Sequence, residues 1–361
     1  MSEPSRPPAD PGTAPEQLYE LALAAPDRYR TAELSRALAE HYAQESADWA
    51  VRLAADLAAV RDPESWRRLV RQIAWQLSRR TSLVTLRPLF ETHSPVALDD
   101  PATEVRACLL YELALRSGFH HPRHHAAYLA YGAGLRDLGH PLAWLPLTSY
   151  RFEQVMWLSS RTEHGAVGSD GPERLRAGYP EIPPTAGGAR AGRAAHRIAD
   201  PARTTAAAGG FGQLAQQEAV FYALPEPLDP ADFNGALLAE LDAECLEATT
   251  GDTVTTVHTT ADDLAGDLFL ADFGGGCYGE PQYGAYARLH AWQSLYAVLD
   301  LGPETPHAEA IRRAADFRFL RFALPQHSDN RWFTWDFTDT AFACLDPDRT
   351  RVTVLAASET D

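Results

Sequence analysis

The residues best placed to do chemistry lie together in GGGCYGEP at 274–281. Three successive glycines, Gly274, Gly275 and Gly276, let the backbone adopt positive φ and approach a ligand closely. Cys277 follows, then Tyr278 and Gly279, and a helix is expected to start near Pro281 or Tyr283. A thiol beside a helix N-terminus gains thiolate character from the exposed N–H groups. With His290 or His258 as base and the loop amides as oxyanion donors, Cys277 would be the nucleophile of an acyl-transfer site. The same glycines, with Tyr278, could instead hold an anion through backbone N–H groups without chemistry. A third reading is a structural turn packed around a small side chain. Spacing weighs against the acyl-transfer site, because His290 sits roughly 12–15 Å of helix axis from Cys277 at ~1.5 Å per residue. His258 could approach only through tertiary folding.

Other polar groupings have bland alternatives. His120, His121, His124 and His125 give His-x3-His twice, a metal spacing on a helix. Pro122 breaks that geometry, and no metal site is expected. Asp262-Asp263-x3-Asp267 looks like a diphosphate-metal motif, yet Asp262 and Asp263 fall in a first helical turn, where acids oppose the helix dipole. Asp336 and Asp339 would face opposite sides of a strand. Arg67, Arg68, Arg71, Arg79 and Arg80 form a basic helix face that could hold an anion or be neutralised internally.

Composition excludes more than it assigns. All 32 basic residues are arginine, against 49 acids, for a net charge of −17. Without a lysine amine there is no pyridoxal Schiff base, Walker phosphate loop, protein kinase or Ser–Lys hydrolase. The negative charge opposes nucleic acid and anionic membranes as partners. Cys108, Cys245, Cys277 and Cys344 form no Cys-x-x-Cys pair, and no apolar leader or membrane span is visible. A cytoplasmic protein with reduced thiols and no cofactor is the expectation, its partner an unidentified protein or small molecule.

These groups need a scaffold, and the sequence suggests a mostly α fold. Residues 1–14 read as a tail. Residues 15–161 read as a helical domain, an irregular bundle or an array of helix pairs. Its segments include Leu34 to Tyr42, Trp49 to Val60, a helix opened by Asp62-Pro63-Glu64, an almost wholly apolar helix over 103–117, and His125 to Leu138 closed by Gly139. Residues 162–210 are rich in Gly, Pro and Arg and read as a linker or mobile loop. Residues 211–361 read as an α+β domain with a small antiparallel sheet. There, Asp229-Pro230 opens a helix with Phe233, Leu237, Leu241 and Cys245 on one face. A strand covers 253–259, and Thr260-x-x-Asp263 is a capping box. A helix spans Tyr283 to Leu299, a strand covers Phe333 to Thr338, and a hairpin turns at Asp346-Pro347-Asp348.

LAWLPL at 142–147, GGGCYGEPQYGAYARLHAWQSLYAVL at 274–299 and the closing WFTWDFTDTAFACLDPDRTRVTVLAASETD together resemble an actinobacterial family of unknown function, domain-of-unknown-function family 6183. The resemblance implies a cytoplasmic bacterial protein and supplies no catalytic residues. The leading expectation is therefore a helical interaction or binding protein without visible catalytic machinery. The alternative is a hydrolase or acyl transferase built on Cys277.

Overall fold

The computed structural model describes residues 63–119, 125–150, 178–275, 281–325, 332–333 and 339–359, with 52, 55, 59, 153, 176 and 330 singly. It divides into two compact units, residues 1–157 with Tyr283–Tyr286, and residues 158–282 with 287–361. The expected segments at Leu34–Tyr42 and Trp49–Val60 lie outside the described residues or touch them singly.

Unit 1 is helical. α1 (Pro63–Arg80) buries Trp66, Val70, Ile73 and Leu77, as their helical spacing predicts. Two single turns follow, Leu83–Leu86 and Pro88–Glu91, and then α2 (Pro101–Ser117). Asp100 caps α2 by accepting the Thr103 N–H at 2.8 Å, with Pro101 in the first turn. Gly118, at φ 57°, ends it. α2 packs along α1 and is buried on nearly every side. α3 (Ala126–Leu138) ends at left-handed Gly139, φ 77°, where the chain turns into a 3-10 turn at Pro141–Trp144. Phe90 and Phe119 pack on Tyr128 at ring distances of 4.8 and 4.9 Å.

Unit 2 is built on a six-stranded antiparallel sheet in the order β1-β2-β6-β5-β4-β3. Its strands are β1 (His196–Arg197), β2 (Gln216–Ala223), β3 (Thr255–Thr259), β4 (Arg318–Ala323), β5 (Thr340–Leu345) and β6 (Arg351–Ser358). The helices are α4 (Ala186–Ala194), α5 (Pro201–Ala208), α6 (Ala261–Gly274), α7 (Tyr283–Leu299) and α8 (His307–Asp316), with the first turn of α7 belonging to unit 1. Val220, Tyr222, Phe322, Ala343, Val352 and Val354 form one apolar cluster with Phe233, Leu237 and Cys245. The mostly helical, α+β reading of the sequence matches this architecture.

The differences are local. The stretch expected as a linker, 162–210, is in its described part a structured piece of unit 2, containing α4, β1 and α5. Three of its arginines meet acids. Arg176 pairs with Glu181 at 2.7 Å, Arg193 with Glu240 at 2.6 Å and Arg203 with Asp300 at 3.2 Å. The helix expected after Asp229 is broken into a 3-10 turn at Pro230–Asp232 and a single turn at Gly235–Leu238. Asn234 interrupts it by turning its side chain back to accept the Ala236 N–H at 2.9 Å. Phe233, Leu237, Leu241 and Cys245 are all buried, but not as one helical face.

Candidate functional site

α6 and α7 carry the arrangement with the most chemical potential. The capping box that starts α6 is present: Asp263 accepts the Thr260 N–H at 3.1 Å and donates its own N–H to Thr260 Oγ1 at 3.3 Å. Asp263 is therefore a cap. Asp267 accepts hydrogen bonds from Arg321 Nη2 at 2.6 Å and Thr340 at 2.7 Å, so the acidic motif of the sequence is structural. Further along α6 stands Asp272, its side chain 2% exposed, with Oδ2 2.6 Å from His290 Nδ1 on α7. The His290 side chain is 31% exposed.

This pair has the geometry of a carboxylate-oriented imidazole. A buried acid engages Nδ1, fixes the ring, and makes Nε2 the nitrogen that can exchange a proton with another group. The described ends of the intervening loop are tied beside it. Gly275, left-handed at φ 70°, donates its N–H to Ala271 O at 3.1 Å, and Gln282 N–H reaches Asp272 O at 3.1 Å. Gly274 and Gly275 thus serve as the end and C-cap of α6. Gly276, Cys277, Tyr278 and Gly279 lie outside the described residues.

His258 is not part of this grouping. It is exposed on β3, opposite Leu320, just before the start of α6. Asp272 is eleven residues into α6, about 16 Å along the axis at ~1.5 Å per residue.

Unit 1 holds a second polar cluster, sealed inside. Glu104 Oε2 meets His140 Nε2 at 3.0 Å, and Oε1 accepts the Tyr286 hydroxyl at 3.0 Å and the Cys108 thiol at 3.5 Å. The Leu142 N–H points at His140 Nδ1, 3.2 Å away, so Nε2 is the end that donates. The Arg71 guanidinium lies over the Tyr286 ring at 3.7 Å. Burial pushes the Glu104 carboxyl up, but the hydrogen bond from His140, the Arg71 charge and the Tyr286 hydroxyl outweigh it and leave the group below its ordinary value. With the His140 side chain 1% exposed, no path is open for a substrate to reach this histidine.

A small surface cleft in unit 2 is lined by Arg203, Arg313, Arg351, Asp300 and Asp346 among others. Its cations are committed to the C-terminus of α7. Arg203 donates to Ala297 O at 2.7 Å and Val298 O at 3.2 Å, and Arg313 donates to Leu299 O at 3.2 Å. Asp300 takes Arg203 and Arg351. Guanidinium groups here satisfy orphan carbonyls at the negative end of a helix, which does not favour a bound anion.

The remaining candidates resolve individually. Of the histidine run, only His125 is described, and it packs 5.0 Å from Phe119. Asp339 accepts the Ser358 hydroxyl at 2.6 Å, and Asp336 lies outside the described residues. In the basic face of α1, Arg71 and Arg79 lie over the rings of Tyr286 and Trp75. Among the described residues no three His, Cys, Asp or Glu are grouped to hold a metal ion, and no helix is long and apolar enough to cross a membrane. Cys108, Cys245 and Cys344 are free and buried, and burial raises all three thiols above their ordinary range.

Nothing in the spacing of residues marks Asp272 as functional. Its signal was a lone carboxylate in FLADFG, the apolar end of a helix, where an unpartnered acid would be costly.

No curated protein and no solved structure matches this chain. A family model does, over residues 16–361, and the chain belongs to the family of unknown function DUF6183.

Proposed function

We propose that unit 2 is a hydrolase or acyl transferase in which His290, oriented by Asp272, activates the thiol of Cys277. The observation that carries this reading is the 2.6 Å contact between a buried carboxylate and Nδ1 of a part-exposed imidazole. It supplies the base and the orienting group that a nucleophile needs. His290 Nε2 takes the thiol proton, and the thiolate adds to the carbonyl carbon of an acyl substrate. As the thioester forms, the leaving group departs with the proton from Nε2. Water or a second acceptor, deprotonated by the same nitrogen, then releases the acyl group. His258 has no part in this scheme.

The other three thiols are 0–1% exposed, so electrophilic labelling of the native protein reads Cys277 alone. Iodoacetamide near neutral pH should modify Cys277, and His290→Ala should slow that reaction about tenfold by removing the base that favours the thiolate. A Cys277 that stays unmodified in the native protein, or that reacts equally fast in His290→Ala, would overturn the reading.

A second reading applies to unit 1, as a binding module for a protein partner in the cytoplasm. Val84, Val96 and Leu98 are 81%, 76% and 49% exposed, apolar side chains without cover in a helical unit. The free thiols of Cys108, Cys245 and Cys344 suit a reducing compartment.

A further inference from the structure

Between α5 and β2 the chain makes a tight glycine turn, Gly209–Gly212, that lies against both helices of the His290 pair. Gly210 donates its N–H to Ser294 Oγ at 2.7 Å, and Ser294, fully buried, passes its own hydrogen to Ala206 O at 3.0 Å. Ser294 is one helical turn beyond His290 on α7. A methyl at Gly210 would sit 2.6 Å from Ser294 Oγ and 3.0 Å from Leu268 Cδ2, and Leu268 is one turn before Asp272 on α6. Gly212, at φ 65°, presses on Asp272 itself. A methyl there would overlap Oδ1 and lie 3.0 Å from the Asp272 Cα. From the other side Gln217 Nε2 braces the turn by donating to Gly212 O at 2.8 Å and Leu214 O at 3.0 Å.

The turn is therefore a wedge that touches α6 at Leu268 and Asp272 and α7 at Ser294. The Asp272 carboxylate has Gly212 at Oδ1 and His290 at Oδ2. We infer that Gly212 is a positioning residue for the Asp272–His290 pair, its missing side chain fixing where the carboxylate meets Nδ1. This rests on reading that pair as a proton-handling site. A Cβ at 212 must displace either the carboxylate or the α6 backbone, and backbone does not yield cheaply in a close-packed interior.

The test uses the full-length chain with ¹⁵N-labelled histidine, the His290 signals being assigned by their loss in His290→Gln. The wild type should show one ring tautomer with the hydrogen held on Nδ1 toward Asp272. In Gly212→Ala that Nδ1–H signal should weaken or move. Gly209→Ala is the matched control. Its methyl would meet nothing within 4 Å, and Gly209 has ordinary right-handed dihedrals. It should leave the His290 signals unchanged. If Gly212→Ala does not fold, Ser294→Ala removes the acceptor that pins the turn to α7 and should move the same signals in the same direction.

Loss of stability in Gly212→Ala with His290 signals identical to wild type would overturn the positioning role and leave a merely structural glycine. Unchanged signals in Ser294→Ala would overturn it when Gly212→Ala is unfolded. Altered His290 signals together with a Cys277 inert to iodoacetamide would support the wedge and remove only the acyl-transfer reading.

Discussion

Glu104 and Asp272 are both buried carboxylates that hydrogen-bond a histidine, yet they serve different ends. Glu104 is closed in by α1, α2 and the first turn of α7, and its contribution is to stability. Its carboxyl is held below its ordinary value in the folded chain, so the unfolded chain binds the proton more readily. The stabilisation is present above the unfolded value near 4.5 and is lost as pH falls through the lower native one. Melting temperatures measured from about pH 6 to about pH 3 should fall less steeply in Glu104→Gln than in wild type, with the variant less stable at neutral pH. At this scale the sequence was partly legible. His290 stood out as an imidazole on the helix that follows the glycine loop, although its spacing from Cys277 weighed against it as a base. Asp272, Glu104 and Glu112 did not, because a carboxylate inside an apolar helix names no partner until the tertiary contacts are known.

The helices were the most legible elements. Tyr283–Leu299 is helical where the sequence places it, but it is buried on nearly every side and not along one amphipathic stripe; the start of α6 follows from Thr260 and Asp263 three apart. β2 and β4 were not foreseen. EAVF and RFLRFA are covered on both faces for much of their length, so the alternation that marks a half-buried strand is missing. The start of α7 was legible in position but not in cause. Its cap is Glu112, whose Oε1 accepts the Ala285 N–H at 2.9 Å, while Oε2 lies where a side chain on Gly284 would be. Trp75 packs on Tyr283 at a ring distance of 5.3 Å. Glu112→Ala leaves that N–H buried and unpaired and should cost about 1–3 kcal/mol by chemical denaturation. Glu112→Gln keeps an acceptor and should cost less. Gly284→Ala, which crowds the same carboxylate, should also lower the melting temperature.

The sequence reads as helices first along the chain and a sheet-bearing part after them. What composition hid is that unit 1 is not continuous in sequence. Tyr286 and Ala285 complete the partners of Glu104 and Glu112. A fragment ending at Trp157 lacks them and should give weaker helical circular dichroism and faster proteolysis than the same segment in the full chain. The absence of lysine and the charge of −17 act over the whole molecule. In physiological salt it should not retard a DNA duplex in a mobility-shift assay. The Glu112–Ala285 contact joins residues 173 positions apart, which sets an order of events during translation. While the ribosome is still making the sheet, the leading helices have two acids to shelter and no tyrosine or amide to meet them. The nascent chain must wait for a four-residue clasp near its far end before its first unit can close.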